Sequence, residues 1–178
     1  MTFRLVIGID PGVTGSIALL ADGEFAGFID IPSVPRRTKG NEVNGLQLSE
    51  MLDAEVAKHP GAYKVGVIER IGIRPGQSAS STSNFGETFG LLKGVLCHAR
   101  IKYMVVQSSM WKRDLGLLAP KNEEVDKSAA RLAAIEKFPA AAPMLQRVKD
   151  HNRADALWIA YWAEKTEQIG DRARRRAA

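Results

Sequence analysis

The sequence predicts an α/β domain built on one mixed sheet, and three observations carry that prediction. Five short apolar runs have strand character. The first three are separated by little more than tight turns, which suits antiparallel neighbours. The later ones alternate with amphipathic segments at helical spacing, which suits parallel strands joined by helices. No repeat or linker interrupts the pattern, so one domain covers residues 1–170, followed by a basic tail at 171–178.

The elements follow in order. Phe3–Ile9, Gly15–Leu20 and Phe25–Ile31 are the opening strands, with Asp22-Gly23 as the hairpin turn between the last two. Ile31-Pro32-Ser33-Val34-Pro35 ends this segment, and a polar, basic loop with Arg36, Arg37 and Lys39 runs to about Asn44. A helix is expected over Gly45–Lys58, with Leu46, Leu48, Leu52 and Val56 on one side, stopped by His59-Pro60-Gly61. Tyr63–Glu69 is the fourth strand. A Gly/Ser/Pro-rich loop, 71–84, leads into a helix over Ser81–Ala99 carrying Phe85, Phe89, Leu92 and Leu96. Lys102–Val106 is the fifth strand. Ser108–Asp114 reads as a short helix capped by Ser108 or Ser109. Glu123–Phe138 is a further helix, Ala140–Lys149 a connection, and Asn152–Gln168 the last helix, whose Trp158 and Trp162 share a packing face.

A chain of 178 residues with 45% hydrophobic content can bury a substantial core. No apolar run reaches the roughly 20 residues that span a bilayer, so no membrane association is expected. The N-terminus runs straight into a strand without signal-peptide character. The single Cys97 has no partner for an intrachain disulfide and reads as a small core residue. These features predict the cytoplasm of a bacterium or a phage-infected host, with an organellar source also compatible. A net charge of +5 has the sign for binding a polyanion, although it equally serves solubility.

Three carboxylates carry the chemistry. Asp10 closes the first strand ahead of Pro11-Gly12, Glu69 closes the fourth, and Asp155 lies in the apolar stretch Ala154–Ala160 of the last helix. Each alone has an ordinary explanation as a turn former, a solvated strand end or a helix-dipole partner. Converging, they would repel one another unless neutralised, and hard divalent cations prefer such oxygen ligands. That is the layout of a metal-dependent phosphoryl-transfer site. The segment Ile7–Gly15 alone also resembles the phosphate-cradling start of sugar kinases and actin-like ATPases, but those need two such domains.

Taken together, Ile9-Asp10-Pro11-Gly12, Val67-Ile68-Glu69 and Ala154-Asp155-Ala156-Leu157 resemble the RuvC-type Holliday-junction resolvases of the RNase H-like superfamily. Order and spacing fit from about residue 4 to about 165. Gln107–Lys112 and Asp126-Lys127-Ser128 resemble the phage-borne and organellar branches in particular.

The resemblance implies an RNase H-like fold, a central mixed five-stranded sheet flanked by helices, with Asp10 and Glu69 side by side and Asp155 completing the cluster. It implies two Mg²⁺ ions, with Mn²⁺ as a substitute, and hydrolysis leaving 5′-phosphate and 3′-hydroxyl ends. Family members place an acidic or His ligand three residues before the last Asp. Here that position is Asn152, which offers an amide oxygen but no charge, with Asp150 and His151 as compensating groups. Lys127 is the expected cation near the scissile phosphate.

The loop after Glu69 is expected to probe the junction centre through Arg74, Gln77, Ser78 and Ser81, with Lys112 and Arg113 adding backbone contacts. Bacterial members carry an aromatic wedge just after the Glu; Arg70-Ile71-Gly72 has none. Trp111 is expected in the core. A four-way junction has two-fold symmetry and needs paired nicks, which implies a homodimer. Its expected interface is the helix Ser81–Ala99, with Phe85, Phe89, Gly86, Gly90 and Gly94, although intramolecular packing would explain those glycines equally. The expected function is resolution of four-way DNA junctions. The alternatives are an RNase H-fold nuclease for other branched DNA, a non-catalytic junction-binding module, and a fragment of an actin-like ATPase.

Overall fold

The computed structural model describes residues 3–37, 39–70, 72, 76, 78–118 and 127–166. Its main sheet has five strands, with Arg4–Asp10 at the centre. The central strand β1 (Arg4–Asp10) pairs antiparallel with β2 (Ser16–Ala21) and parallel with β6 (Tyr63–Glu69). β3 (Glu24–Asp30) and β7 (Lys102–Val106) form the edges. The turn between β2 and β3 has φ of 49° at Asp22 and 84° at Gly23, the left-handed pair that a two-residue hairpin needs. The five-stranded mixed sheet expected from the sequence is present, and its strand limits agree within a residue.

Leu5–Ile9 are all buried because both faces of β1 are covered, so this strand is continuously apolar rather than alternating. Leu5, Ile7 and Ile9 face α1 (Gly45–Ala57) and α2 (Ala79–His98), meeting Leu48, Leu52, Leu92 and Leu96. Val6 faces the other layer, formed by α3 (Ser108–Asp114), α4 (Lys127–Lys137) and α5 (His151–Lys165), with Trp111, Leu157 and Trp162. Two short 3₁₀ segments, Pro139–Met144 and Val148–Asp150, link α4 to α5. Among the described residues no helix is long and apolar enough to cross a membrane.

The structure corrects several expectations. The loop after Ile31 contains a small hairpin, β4 (Ser33–Pro35) with β5 (Asn41–Val43), bringing the strands among the described residues to seven. Gly40, at φ 89°, supplies its turn. Leu46 is 73% exposed: it precedes Leu48 by two positions, about 200° around the helix from the buried Leu48–Leu52 stripe. Cys97 is exposed, because it lies one position past Leu96 and leaves the Leu92–Leu96 stripe. The N-cap of α3 is Gln107, without a side-chain cap bond, rather than Ser108 or Ser109. The expected helix segment 123–126 and the end of the last helix at 167–168 lie outside the described residues, as does the tail 171–178.

Candidate active site

Strand alternation puts two of the three carboxylates on one face. Val6, Gly8 and Asp10 share a side of β1, and Val65, Val67 and Glu69 share a side of β6. Val6, Val65 and Val67 all belong to the core layer under α5, so Asp10 and Glu69 emerge on that layer's side. Ile9 pairs with Ile68, and the two carboxylates follow side by side where the strands leave the sheet.

Gly8 brings in the third. A Cβ at Gly8 would lie 2.2 Å from the Ala156 carbonyl oxygen and 2.4 Å from the Ala160 nitrogen. Helix α5 therefore rests directly on the β1 backbone, and the turn that touches it carries Asp155. The start of α5 is anchored by Arg153, which donates to both oxygens of Asp30 at the end of β3 and to the Met144 carbonyl at 2.9 Å.

The loop from Asp10 to Gly15 closes tightly. Gly15 N–H donates to the Gly12 carbonyl at 3.0 Å, and a Cβ at Gly15 would meet the Asp10 carbonyl oxygen at 2.2 Å, so no larger residue fits. Between this loop, Phe85 of α2 and Asn152 of α5 lies an open cavity of ≈ 360 Å³. Asn152 donates its amide to the Thr14 carbonyl at 2.6 Å, which ties α5 to the loop and leaves the amide oxygen as the group suited to a cation.

The electrostatics are those of a site short of positive charge. The Asp10 carboxyl is pushed well above the usual range, first by burial, then by Asp155 and Glu69; Lys112 opposes this. Glu69 is raised mainly by burial and also by Asp155, against hydrogen bonds from Trp111 and Ser108 and the charge of Lys112. Trp111 is fully buried and its Nε1 donates to Glu69 Oε2 at 3.0 Å. Among the described residues no three His, Cys, Asp or Glu groups are gathered tightly enough to hold one ion as they stand. The donor set nevertheless fits a hard divalent cation, because buried, mutually raised carboxylates are what such an ion relieves.

The other expected site residues divide. Lys112, expected on the DNA backbone, lies close enough to act on both Asp10 and Glu69, with its ammonium 4.9 Å from the centre of the Trp111 ring. Arg113 pairs with its neighbour Asp114 at the surface. Ser78 is the N-cap of α2: its Oγ accepts from Ser81 N–H at 3.2 Å and lies 3.1 Å from Ser80 Oγ. Asp150 is not a compensating ligand. It is 3% exposed and gripped by Arg147, with Arg153 at 3.8 Å, which holds its carboxyl below the usual range. The His151 ring nitrogen Nδ1 lies 3.1 Å from the Val148 carbonyl oxygen. Arg36, part of the expected basic loop, is paired with Glu87 and Glu42. Arg74, Gln77 and the side chain of Lys127 lie outside the described residues.

Sequence reasoning missed three contributors. Trp111 lies in the core as expected and in addition donates to Glu69, while Ser108, expected as a helix cap, also bonds Glu69. Phe85, assigned to a dimer face, is 37% exposed and lines the cavity.

No protein-family model matches the chain. A stretch of 53 residues is 45% identical to the chloroplastic Holliday junction resolvase MOC1 of Chlamydomonas reinhardtii; the match covers 30% of this chain and only 6% of that much longer protein. Among solved structures, Thermus thermophilus RuvC in complex with a Holliday junction substrate superposes with a TM-score of 0.60 at 15% identity, covering 94% of this chain and 96% of that one. A second Thermus thermophilus RuvC structure matches at 0.51 and 17% identity, over 94% and 97% of the two chains. With the five-stranded order, the flanking helices and near-complete mutual coverage, the chain has the RuvC form of the RNase H-like fold.

Proposed function

We propose that this protein is a metal-dependent endonuclease that resolves four-way DNA junctions by paired nicks. The observation that carries the reading is the nearness of Asp10, Glu69 and Asp155 at the end of the sheet, where burial and mutual repulsion make the carboxylates of Asp10 and Glu69 harder to ionise without a cation. The chloroplastic relative named as a Holliday junction resolvase, and the RuvC fold seen elsewhere on a Holliday junction, support the substrate.

In this reading Asp10, Glu69 and Asp155 hold two Mg²⁺ ions, or Mn²⁺ in their place, and the amide oxygen of Asn152 adds a neutral ligand. Bound there, divalent cations polarise the scissile phosphate and lower the pKa of an attacking water. Lys112 supplies a fixed positive charge beside the carboxylates, and Lys127 remains a second candidate for the phosphate. Thr14, through Asn152, sets the height of the loop over the cavity. Arg74, Gln77, Ser78, Ser81 and Arg113 are proposed DNA contacts around this centre. A homodimer would present two such sites to a two-fold junction. Its support is the open face of α2, where Cβ atoms at Gly86, Gly90 and Gly94 would meet nothing within 4 Å.

The test compares a four-way junction with linear duplex, in Mg²⁺, Mn²⁺ and EDTA, using wild type and Asp155→Asn. Symmetric nicks on the junction, absent in EDTA and lost in the variant, are expected. Tight junction binding without cleavage under any divalent ion would instead identify a binding module.

A further inference from the structure

Glu69 enters the cluster from the last position of β6, and its grip comes from α3. The Trp111 indole donates to it at 3.0 Å, and Ser108 adds a hydroxyl hydrogen bond. Helix α3 has only seven residues and no side-chain cap, too short to hold itself in place. Its other end is held from α5: Trp162 Nε1 donates to Asp114 Oδ2 at 2.9 Å. Trp162 follows Asp155 by seven residues, two helical turns on the same face. Both indoles are buried in the core cluster that also holds Val67 of β6 and Leu157 of α5.

We propose that α3 is a strut between two of the metal-binding carboxylates, with Trp111 as the positioning residue for Glu69 and the Trp162–Asp114 bond fixing the strut to the helix that carries Asp155. The inference rests on the metal-dependent reading above. Both indoles are buried, so neither is open to substrate. Trp111 restrains a carboxylate whose negative neighbours favour its turning away, and Trp162 restrains the helix that carries Trp111. Outer partners of this kind govern metal affinity by about 10- to 100-fold where they have been removed.

The experiment measures Mn²⁺ binding to the full chain without DNA, by the loss of the free-ion EPR signal, together with the Mg²⁺ concentration for half-maximal junction cleavage. Trp111→Phe keeps the buried ring and deletes the donor. It should melt close to wild type in EDTA, bind Mn²⁺ about 10-fold more weakly, and need correspondingly more Mg²⁺, with kcat at saturating Mg²⁺ largely retained. Trp162→Phe, which contacts neither carboxylate, should shift the same two quantities less. The double variant should be little worse than Trp111→Phe alone, since both act through one element.

Wild-type Mn²⁺ affinity in a folded Trp111→Phe would overturn the proposal. A defect in Trp111→Phe with Trp162→Phe unaffected would overturn the strut. Should Trp111→Phe fail to fold, Ser108→Ala removes the other Glu69 donor and carries the same expectation. Absence of Mn²⁺ binding by wild type would overturn the metal-dependent reading itself, a result separable from the others.

Discussion

The backbone of Gly8 lies against the backbone of Ala156, so that a methyl group on the glycine would sit 2.2 Å from the carbonyl oxygen of the alanine. This contact sets the height of α5 over the sheet. Asp155 immediately precedes Ala156, and Asp10 follows Gly8 by one pleat on the same face. A backbone-to-backbone contact between helix and sheet thus falls beside the proposed metal centre.

Gly8→Ala should therefore cost both stability and activity. The new methyl has backbone atoms rather than a yielding side chain in its way, so α5 must lift. A loss of roughly 3 kcal/mol is expected, at the upper end for overpacking. Chemical denaturation gives the stability, and junction cleavage under conditions where the variant remains folded gives the second effect. A variant that loses stability but cleaves like wild type would mean that the helix height does not matter to the carboxylates.

The raised carboxyls of Asp10 and Glu69 give a pH dependence with a definite sign. A carboxyl whose folded pKa exceeds its unfolded value, about 3.9 for Asp, holds more protons folded than unfolded between the two. Metal-free protein should accordingly lose stability as pH rises from about 4 through the raised values. Asp10→Asn removes the largest such group, so in EDTA at pH 7 it should melt higher than wild type. Added Mg²⁺ should stabilise wild type and leave the variant nearly unchanged. Thermal melts across pH, with and without Mg²⁺, decide this; a lower melting point for Asp10→Asn in EDTA would contradict it.

Lys112 opposes the repulsion at both Asp10 and Glu69. Lys112→Gln should lower cleavage by about 10²-fold, the scale found when one preorganised electrostatic partner is lost. Lys112→Arg should recover part of it by restoring charge. Single-turnover cleavage at saturating Mg²⁺ is the measurement, and equal rates for Gln and Lys would remove Lys112 from the site.

Most of the sheet was legible because strand ends follow local composition: polar Arg70 follows Tyr63–Glu69 and polar Gln107 follows Lys102–Val106. The β4–β5 hairpin was not, because Pro32 and Pro35 read as strand breakers while Pro35 in fact sits on an edge, paired with Asn41. The three acids were legible as a set, since each closes or occupies a well-marked element. Their supports were not. The donor to Glu69 comes from Trp111, 42 residues away, and a buried indole looks like any other core aromatic until its N–H is assigned a partner. Gly8 is one residue of an apolar strand in the sequence, and its constraint comes from a helix about 150 residues later in the chain.

Asn152→Asp makes the sharpest use of the structure. The Asn152 amide donates to the Thr14 carbonyl at 2.6 Å; an aspartate there turns that contact into two facing acceptors and adds a fourth negative charge near the cluster. In EDTA the variant should be less stable than wild type by about 1–3 kcal/mol, the cost of an unmade bond. In Mg²⁺ the added charge should draw the carboxylate to the metal, restore most of that stability and lower the Mg²⁺ concentration for half-maximal cleavage. Paired thermal melts and Mg²⁺ titrations test both halves. If Mg²⁺ restores neither stability nor activity to a folded variant, position 152 serves the loop through Thr14 and is not a metal ligand.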